Sequence, residues 1–228
     1  MWDKVALIIG AYILGSFPLL YLLGRLHGVD LRKFDDMHIA LWRNVGRVEG
    51  FIGVTFDFAK AVIVVLLARN VGGFDPGWVA FAGVAAVAGQ MWPVFLKFDG
   101  ERGNSIGLAM SGAVATSAML IALVPVVLGA AVRTIPRFLQ RSQNLNEKLK
   151  FGGPPSLSLP LGMVGFFAVL PLTAWAVGQP WDVIYSFIVL FVMIILRRLT
   201  AKLSEDIRKP TWKNRMLLNR LFFDRSEI

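Results

Sequence analysis

Cysteine is absent from the 228 residues, so the chain forms no disulfide, offers no thiolate to a metal and has no sulfur nucleophile. Charge is scarce as well. Only 17% of residues are charged, where soluble domains carry ~25%. Histidine occurs twice, at His27 and His38; without Glu or Cys at ligand spacing, the pair makes a poor zinc site. Apolar residues take up the balance, at 56% hydrophobic and a mean hydropathy of +0.61, an excess that lipid has to solvate.

Apolar stretches run at about 5–23, 51–68, 78–96, 105–132, 157–177 and 181–196, several of them near the ~20 residues that carry a helix across hydrocarbon. They lack period-two alternation, which excludes a spanning barrel and leaves an all-α bundle. The first run has only Lys4 ahead of it and no small-residue cleavage site before a soluble domain. It reads as a spanning helix rather than a removable signal.

The cations are unevenly placed: five Lys or Arg lie in 24–50, two in 97–103, five in 133–150 and nine in 197–228, whereas 70–77 and 178–180 carry none. The positive-inside rule puts those four segments together on the cytoplasmic side. This patterning by topology argues against nucleic acid as the partner of the basic chain. Parity adds a constraint, because one crossing by 105–132 would separate 97–103 from 133–150. The stretch is long for one crossing and short for two at ~1.5 Å per residue, which predicts two shortened helices within 104–133 turning near 116–118. The expected architecture is a seven-span helical bundle with its N-terminus outside and C-terminus cytoplasmic.

The bundle covers 1–203. The tail, 204–228, is basic with interspersed Trp212, Leu217, Leu218, Leu221, Phe222 and Phe223, and it fits either an amphipathic helix on anionic lipid or a solvated tail. Segment 140–156 reads as a surface loop.

Three places could carry chemistry. Asp57 and Lys60 are three positions apart in the second apolar run and project from one helical face. Intramembrane charges are costly and pair in the bundle interior, so these two form a structural ion pair or touch a substrate. Loop 24–50 mixes five cations with Asp30, Asp35, Asp36 and Glu49, either a solvated basic loop or a seat for an anion. The stretch 92–105 turns at Gly100 and Gly103 into a small-residue helix. Its backbone N–H groups and helix N-terminus suit an anion, with Lys97 and Arg102 supplying charge, although a plain tight turn explains a lone Gly-x-x-Gly equally well.

Order and spacing across 1–203 resemble the bacterial acyl-phosphate:glycerol-3-phosphate acyltransferase family. The residues that carry the likeness are Gly15-Ser16-Phe17-Pro18-Leu19-Leu20-Tyr21, then Val29-Asp30-Leu31-Arg32-Lys33, then Asp57 to Lys60, then Gly89-Gln90-Met91-Trp92-Pro93-Val94-Phe95 with Gly100-Glu101-Arg102-Gly103. The resemblance implies a multi-pass bacterial cell-membrane enzyme that acylates glycerol 3-phosphate from an acyl phosphate, making lysophosphatidic acid for phospholipid synthesis. It implies membrane lipids as surroundings and neither metal nor organic cofactor, since the acyl group arrives activated. It also implies phosphate-binding roles for Asn44, Arg47, Lys97, Gly100, Arg102, Gly103 and Ser156.

The departures from the family pattern fall within its motifs. Asp36 stands where the pattern has serine and Gln90 where it has histidine, the two positions implied to be catalytic. Met37 and Glu101 each replace a glycine, Arg102 a lysine, and Arg197-Arg198-Leu199-Thr200 keeps one residue of H-R-x-N. Asp36 and Glu101 bring negative charge to a pocket meant for phosphates. At ~4 Å and an effective dielectric of ~20, each like-charge pair costs about 4 kcal/mol before compensation. The alternative reading is therefore a degenerate member that binds a phosphorylated lipid precursor or regulates an active relative.

Overall fold

A computed structural model describes residues 1–34, 36–139, 157–208 and 215–225. The described chain is helical, with no strand among those residues. Helices α1 (Trp2–Ser16) and α2 (Leu19–Leu26) come from the first apolar run. Pro18 divides them: it lacks an N–H and drives Phe17 to an extended ψ of 117°. After α3 (Met37–Asn44), α4 (Arg47–Leu66) carries the second run and ends in a π-turn over Leu67–Val71. Then come α5 (Pro76–Met91), α6 (Asn104–Val114), α7 (Thr116–Ala122) and α8 (Val124–Leu139). The chain closes with α9 (Ser158–Ala176), α10 (Trp181–Thr200), α11 (Leu203–Ile207) and α12 (Arg215–Phe223).

Among the described residues, six helical stretches are long and apolar enough to cross a membrane: Trp2–Leu26, Arg47–Val71, Pro76–Leu96, Thr116–Leu139, Ser158–Ala176 and Trp181–Thr200. The 104–133 region is broken as expected, but at Ala115, just ahead of 116–118, and only its first piece is shortened, because the second continues past 133 as Thr116–Leu139, long enough to cross. There the Thr116 hydroxyl bonds the Gly112 carbonyl at 2.8 Å, taking the acceptor that the Thr116 amide would use in a continuous helix. A second interruption at Leu123 precedes Pro125, which cannot donate to the turn before it. The first of these pieces, α6, has 11 residues and a length of ~16 Å, about half the hydrocarbon thickness.

Helix α5 is the centre of the bundle, with 72% of its apolar window buried. Its Ala and Gly residues let neighbours approach closely. The tightest approach is to α1: a side chain at Gly15 would collide with the Ala86 backbone, and one at Gly89 with the backbones of Tyr12 and Ser16. Tyr12 and Ser16 also donate to the Trp92 and Tyr12 carbonyls. Helix α6 packs between α4 and α5, and α9 between α8 and α10.

Cross-helix bonds show which ends lie together. Arg69, in the π-turn after α4, donates to the carbonyls of Ala113 and Val114 at the end of α6. Thr173 donates to the Ala118 carbonyl and Ser158 to that of Gly129, so α9 runs antiparallel to α7 and α8. At the opposite end from Arg69, Arg197 of α10 reaches the 99–101 turn and Lys202 reaches the Phe34 carbonyl at 3.0 Å. The tail helix α12 packs on α9 and α10. Arg198 donates to the Leu221 and Pro160 carbonyls, while Arg220 pairs with Asp206.

Candidate active site

The proline break in the first span prepares the site. Stopping the helix at Phe17 turns the Leu19 amide away from the Gly15 carbonyl and onto that of Phe17, and both carbonyls accept from the Lys60 ammonium, at 3.2 and 3.4 Å. Lys60 Nζ also lies 2.8 Å from Asp57 Oδ1, one turn earlier on α4, and both side chains are buried. The pair therefore joins α4 to the broken end of α1. Removing one partner would leave an uncompensated buried charge.

Asp57 spends its other oxygen on two groups from two other elements. Oδ2 accepts from Gln90 Nε2 at 2.6 Å, at the end of α5, and lies 2.9 Å from His38 Nε2 on α3. The second ring nitrogen of His38 is 3.2 Å from Glu101 Oε2 and 3.9 Å from Asp36 Oδ1. With carboxylates at both nitrogens, the imidazole is a double donor and hence a cation. Burial opposes that charge, but Glu101 and Asp57 overcome it and push the His38 pKa up to about 9. Glu101 is pushed up to about 7, by burial first and by Asp57 and Asp36 in addition, with His38 and Lys60 pulling the other way. The charge that Glu101 adds is thus balanced inside the site.

One oxygen or nitrogen from each of His38, Asp57 and Glu101 falls within 4.8 Å of the others. Two cationic groups, the imidazolium and the Lys60 ammonium, already face these carboxylates. The Gln90 side-chain oxygen is buried without a hydrogen-bond partner among the described residues.

Lys60, Asp57, Gln90 and Glu101 line a small pocket with Gly15, Ser16, Tyr21, Met37 and Gly100. A second, larger groove begins at Lys60 and is otherwise apolar. Gly10, Ile13, Leu14 and Phe17 of the first span, Phe56 and Ile63 of α4, and Phe95 line it. Lys60 and Phe17 line both, and Lys60 is the charged one.

Arg197 fixes the loop that carries Glu101. Its buried guanidinium donates to the Glu101 carbonyl at 3.2 Å, to Asp99 Oδ1 at 3.0 Å and to the Gly100 carbonyl. The loop needs left-handed backbone at Lys97, Phe98 and Gly103, and glycine takes up that conformation without strain. Gly103 then caps the N-terminus of α6.

The residues singled out in the sequence divide into two sets. Asp57, Lys60, Gln90 and Gly100 come together in the pocket, whereas Asn44, Arg47 and Lys97 are exposed and do not line it. Asn44 turns its amide onto the Ala40 carbonyl at 2.9 Å. Asp36 acts as the N-cap of α3, accepting from the Ile39 amide at 3.0 Å. Arg102 Nε meets the tail's Asp224 at 2.9 Å. Ser156, Asp35 and Trp212 lie outside the described residues. His38 and Glu101 as partners were not foreseen, because 63 positions separate them in the chain. Arg197 entered the sequence reading only within Arg197-Arg198-Leu199-Thr200, set against the family's H-R-x-N.

A glycerol-3-phosphate acyltransferase family model matches residues 5–209. A glycerol-3-phosphate acyltransferase of Trichlorobacter lovleyi is 41% identical over 128 residues, 55% of this chain and 66% of that protein. Glycerol-3-phosphate acyltransferase 4 of Dehalococcoides mccartyi strain CBDB1 is 29% identical over 96% of this chain and 88% of its own length. Among the curated relatives, the first two matched are thus covered over a little under two thirds of their length. A crystal structure of PlsY (YgiH), an integral membrane glycerol 3-phosphate acyltransferase, in its glycerol 3-phosphate form superposes with a TM-score of 0.68 at 27% identity, over 96% of this chain and 94% of that one. The lysophosphatidic acid form gives 0.66 at 26% identity, over 96% and 93%.

Proposed function

The chain belongs to the glycerol-3-phosphate acyltransferase family, and from that premise we propose that it acylates the 1-hydroxyl of glycerol 3-phosphate with an acyl phosphate, releasing lysophosphatidic acid and phosphate. The observation that carries the proposal is the junction at Lys60. There a polar pocket suited to a small phosphorylated substrate meets an apolar groove suited to an acyl chain. A substrate with a charged head and a hydrocarbon tail needs both, joined at a cation. Lys60 would stabilise negative charge developing on the acyl carbonyl oxygen or the departing phosphate. Asn44, Arg47, Lys97, Gly100, Arg102, Gly103 and Ser156 would hold phosphate groups of the substrates, the roles that the family pattern implies for them.

Seven passages through the membrane are part of the reading, with α6 as a shortened one and the N-terminus outside. Support comes from Arg69 meeting the end of α6, and from Arg197 and Lys202 meeting the 99–101 turn and Phe34. An even number of passages between 103 and 157 reconciles these contacts with the positive-inside rule. The site then faces the cytoplasm of a bacterial cell membrane, with 1–203 as the acyltransferase unit and 204–228 as a basic tail on the same face.

Complementation tests the proposal. In a bacterial strain depleted of its own glycerol-3-phosphate acyltransferase, this chain should restore growth. Failure to grow with the protein present in the membrane would favour a degenerate, ligand-holding member of the family.

A further inference from the structure

Two departures from the family pattern meet in space. Position 90, a histidine in the pattern, is Gln90, and a turn position that is glycine in the pattern is Glu101. Gln90 Nε2 is 2.6 Å from Asp57 and 3.4 Å from Glu101. His38, arriving from a different element, bridges the same two carboxylates at 2.9 and 3.2 Å. Glu101 lines the pocket with Lys60, and His38 is not among its lining residues. Arg197 pins the Glu101 carbonyl from α10.

We propose that Glu101 is the proton acceptor of the acyl transfer in this chain, held in place and tuned by His38, so that an acid–base function is moved onto the glycine turn. The inference rests on the acyltransferase reading. In the step, the glycerol 3-phosphate hydroxyl oxygen bonds to the acyl carbonyl carbon as its proton passes to the Glu101 carboxylate. The bond from that carbon to the phosphate oxygen breaks, and phosphate leaves with the electron pair. Glu101 then returns the proton to the departing phosphate or to water. Its partners are suited to this. Burial and the neighbouring Asp57 and Asp36 hold the carboxyl near neutrality, while His38 and Lys60 keep it from staying protonated there. A general base works best with its pKa close to the operating pH. Gln90 donates without titrating, and Arg197 acts on the backbone only.

The test uses the full chain in detergent with palmitoyl phosphate and glycerol 3-phosphate, following kcat and KM from pH 5.5 to 9. Wild-type kcat should rise with pH through a midpoint near 7. Glu101→Gln should lose about 100-fold or more in kcat, with a smaller change in KM and no rising limb, and Glu101→Asp should recover part of the loss. His38→Gln keeps the base but removes its cation beside Asp57 and Asp36, so the midpoint should move to higher pH. That shift would not follow from a purely structural role. Melting of each variant checks that it is folded. The inference is overturned if Glu101→Gln, or Glu101→Gly, turns over within about threefold of wild type on the same pH profile, or if the His38→Gln midpoint stays put. Loss of wild-type activity in a chelator, restored by a divalent cation, would overturn it too, by making the cluster a metal centre. A folded wild type with no turnover sinks the acyltransferase reading itself and this inference with it, whereas an active wild type with an indifferent Glu101 sinks only the latter.

Discussion

Replacing Arg197 by alanine should loosen the catalytic turn without touching the pocket wall directly. The guanidinium is 6% exposed and gives its protons to the Glu101 and Gly100 carbonyls and to Asp99. Asp99 is 55% exposed, so solvent screens that ion pair and it contributes ~0–1 kcal/mol. The two carbonyl contacts are another matter, because bonds to a charged donor contribute about 1.5–3 kcal/mol each. Together they set an expected loss of about 3–6 kcal/mol. At ~2–4 °C per kcal/mol for a chain of this size, the melting temperature in detergent should fall by roughly 6–24 °C. Acyl transfer should fall as well, since the loop positions Glu101. Asp99→Asn is the control and should shift melting by no more than ~4 °C. Equal damage by Arg197→Ala and Asp99→Asn, or an unchanged melt for Arg197→Ala, would refute the assignment of the arginine as the clamp of the turn.

Lys60→Met leaves Asp57 buried and unpaired on that side and should destabilise by about 3–5 kcal/mol; adding Asp57→Asn to it should restore part of the loss in a chemical denaturation series. Arg47→Ala should weaken glycerol 3-phosphate binding roughly tenfold or more, the equivalent of a lost charge-assisted contact of ~1.5–3 kcal/mol, while Arg43→Ala changes it little; equal affinities by calorimetry would return the loop to a topology signal alone. Stability should fall as pH rises. The folded-state pKa values of Glu101 and His38, about 7 and about 9, both lie above their ordinary values. The native state therefore binds more protons than the unfolded one, and its advantage is lost as pH climbs through 7 and then 9. Melting across pH 6–9.5 measures this, and His38→Gln should flatten the upper part.

The all-helical membrane class was legible because lipid solvation demands long apolar runs, and these survive in the sequence whatever the tertiary packing. The broken segment was legible from parity, yet the break sits at Ala115 rather than at 116–118, where the Thr116 hydroxyl takes the Gly112 carbonyl. The Asp57–Lys60 pair was visible as an i,i+3 spacing. The bridge from His38 to Glu101 was not, since nothing local to either residue marks the other. What the motifs did mark was the departure from pattern at 36, 90 and 101. The like-charge penalty expected from Asp36 and Glu101 is met by a histidine that the sequence placed only in a loop. Asp36 itself is engaged in capping α3, a role that its position before Met37 and Ile39 permitted but did not single out.

The central claim is acyl transfer from acyl phosphate to glycerol 3-phosphate, and product formation by the purified chain tests it most directly. With palmitoyl phosphate and glycerol 3-phosphate present, mass spectrometry should find lysophosphatidic acid appearing in step with released phosphate, one for one, and no product when glycerol 3-phosphate is omitted. Folded protein that binds glycerol 3-phosphate yet forms no lysophosphatidic acid above a protein-free blank would contradict the account.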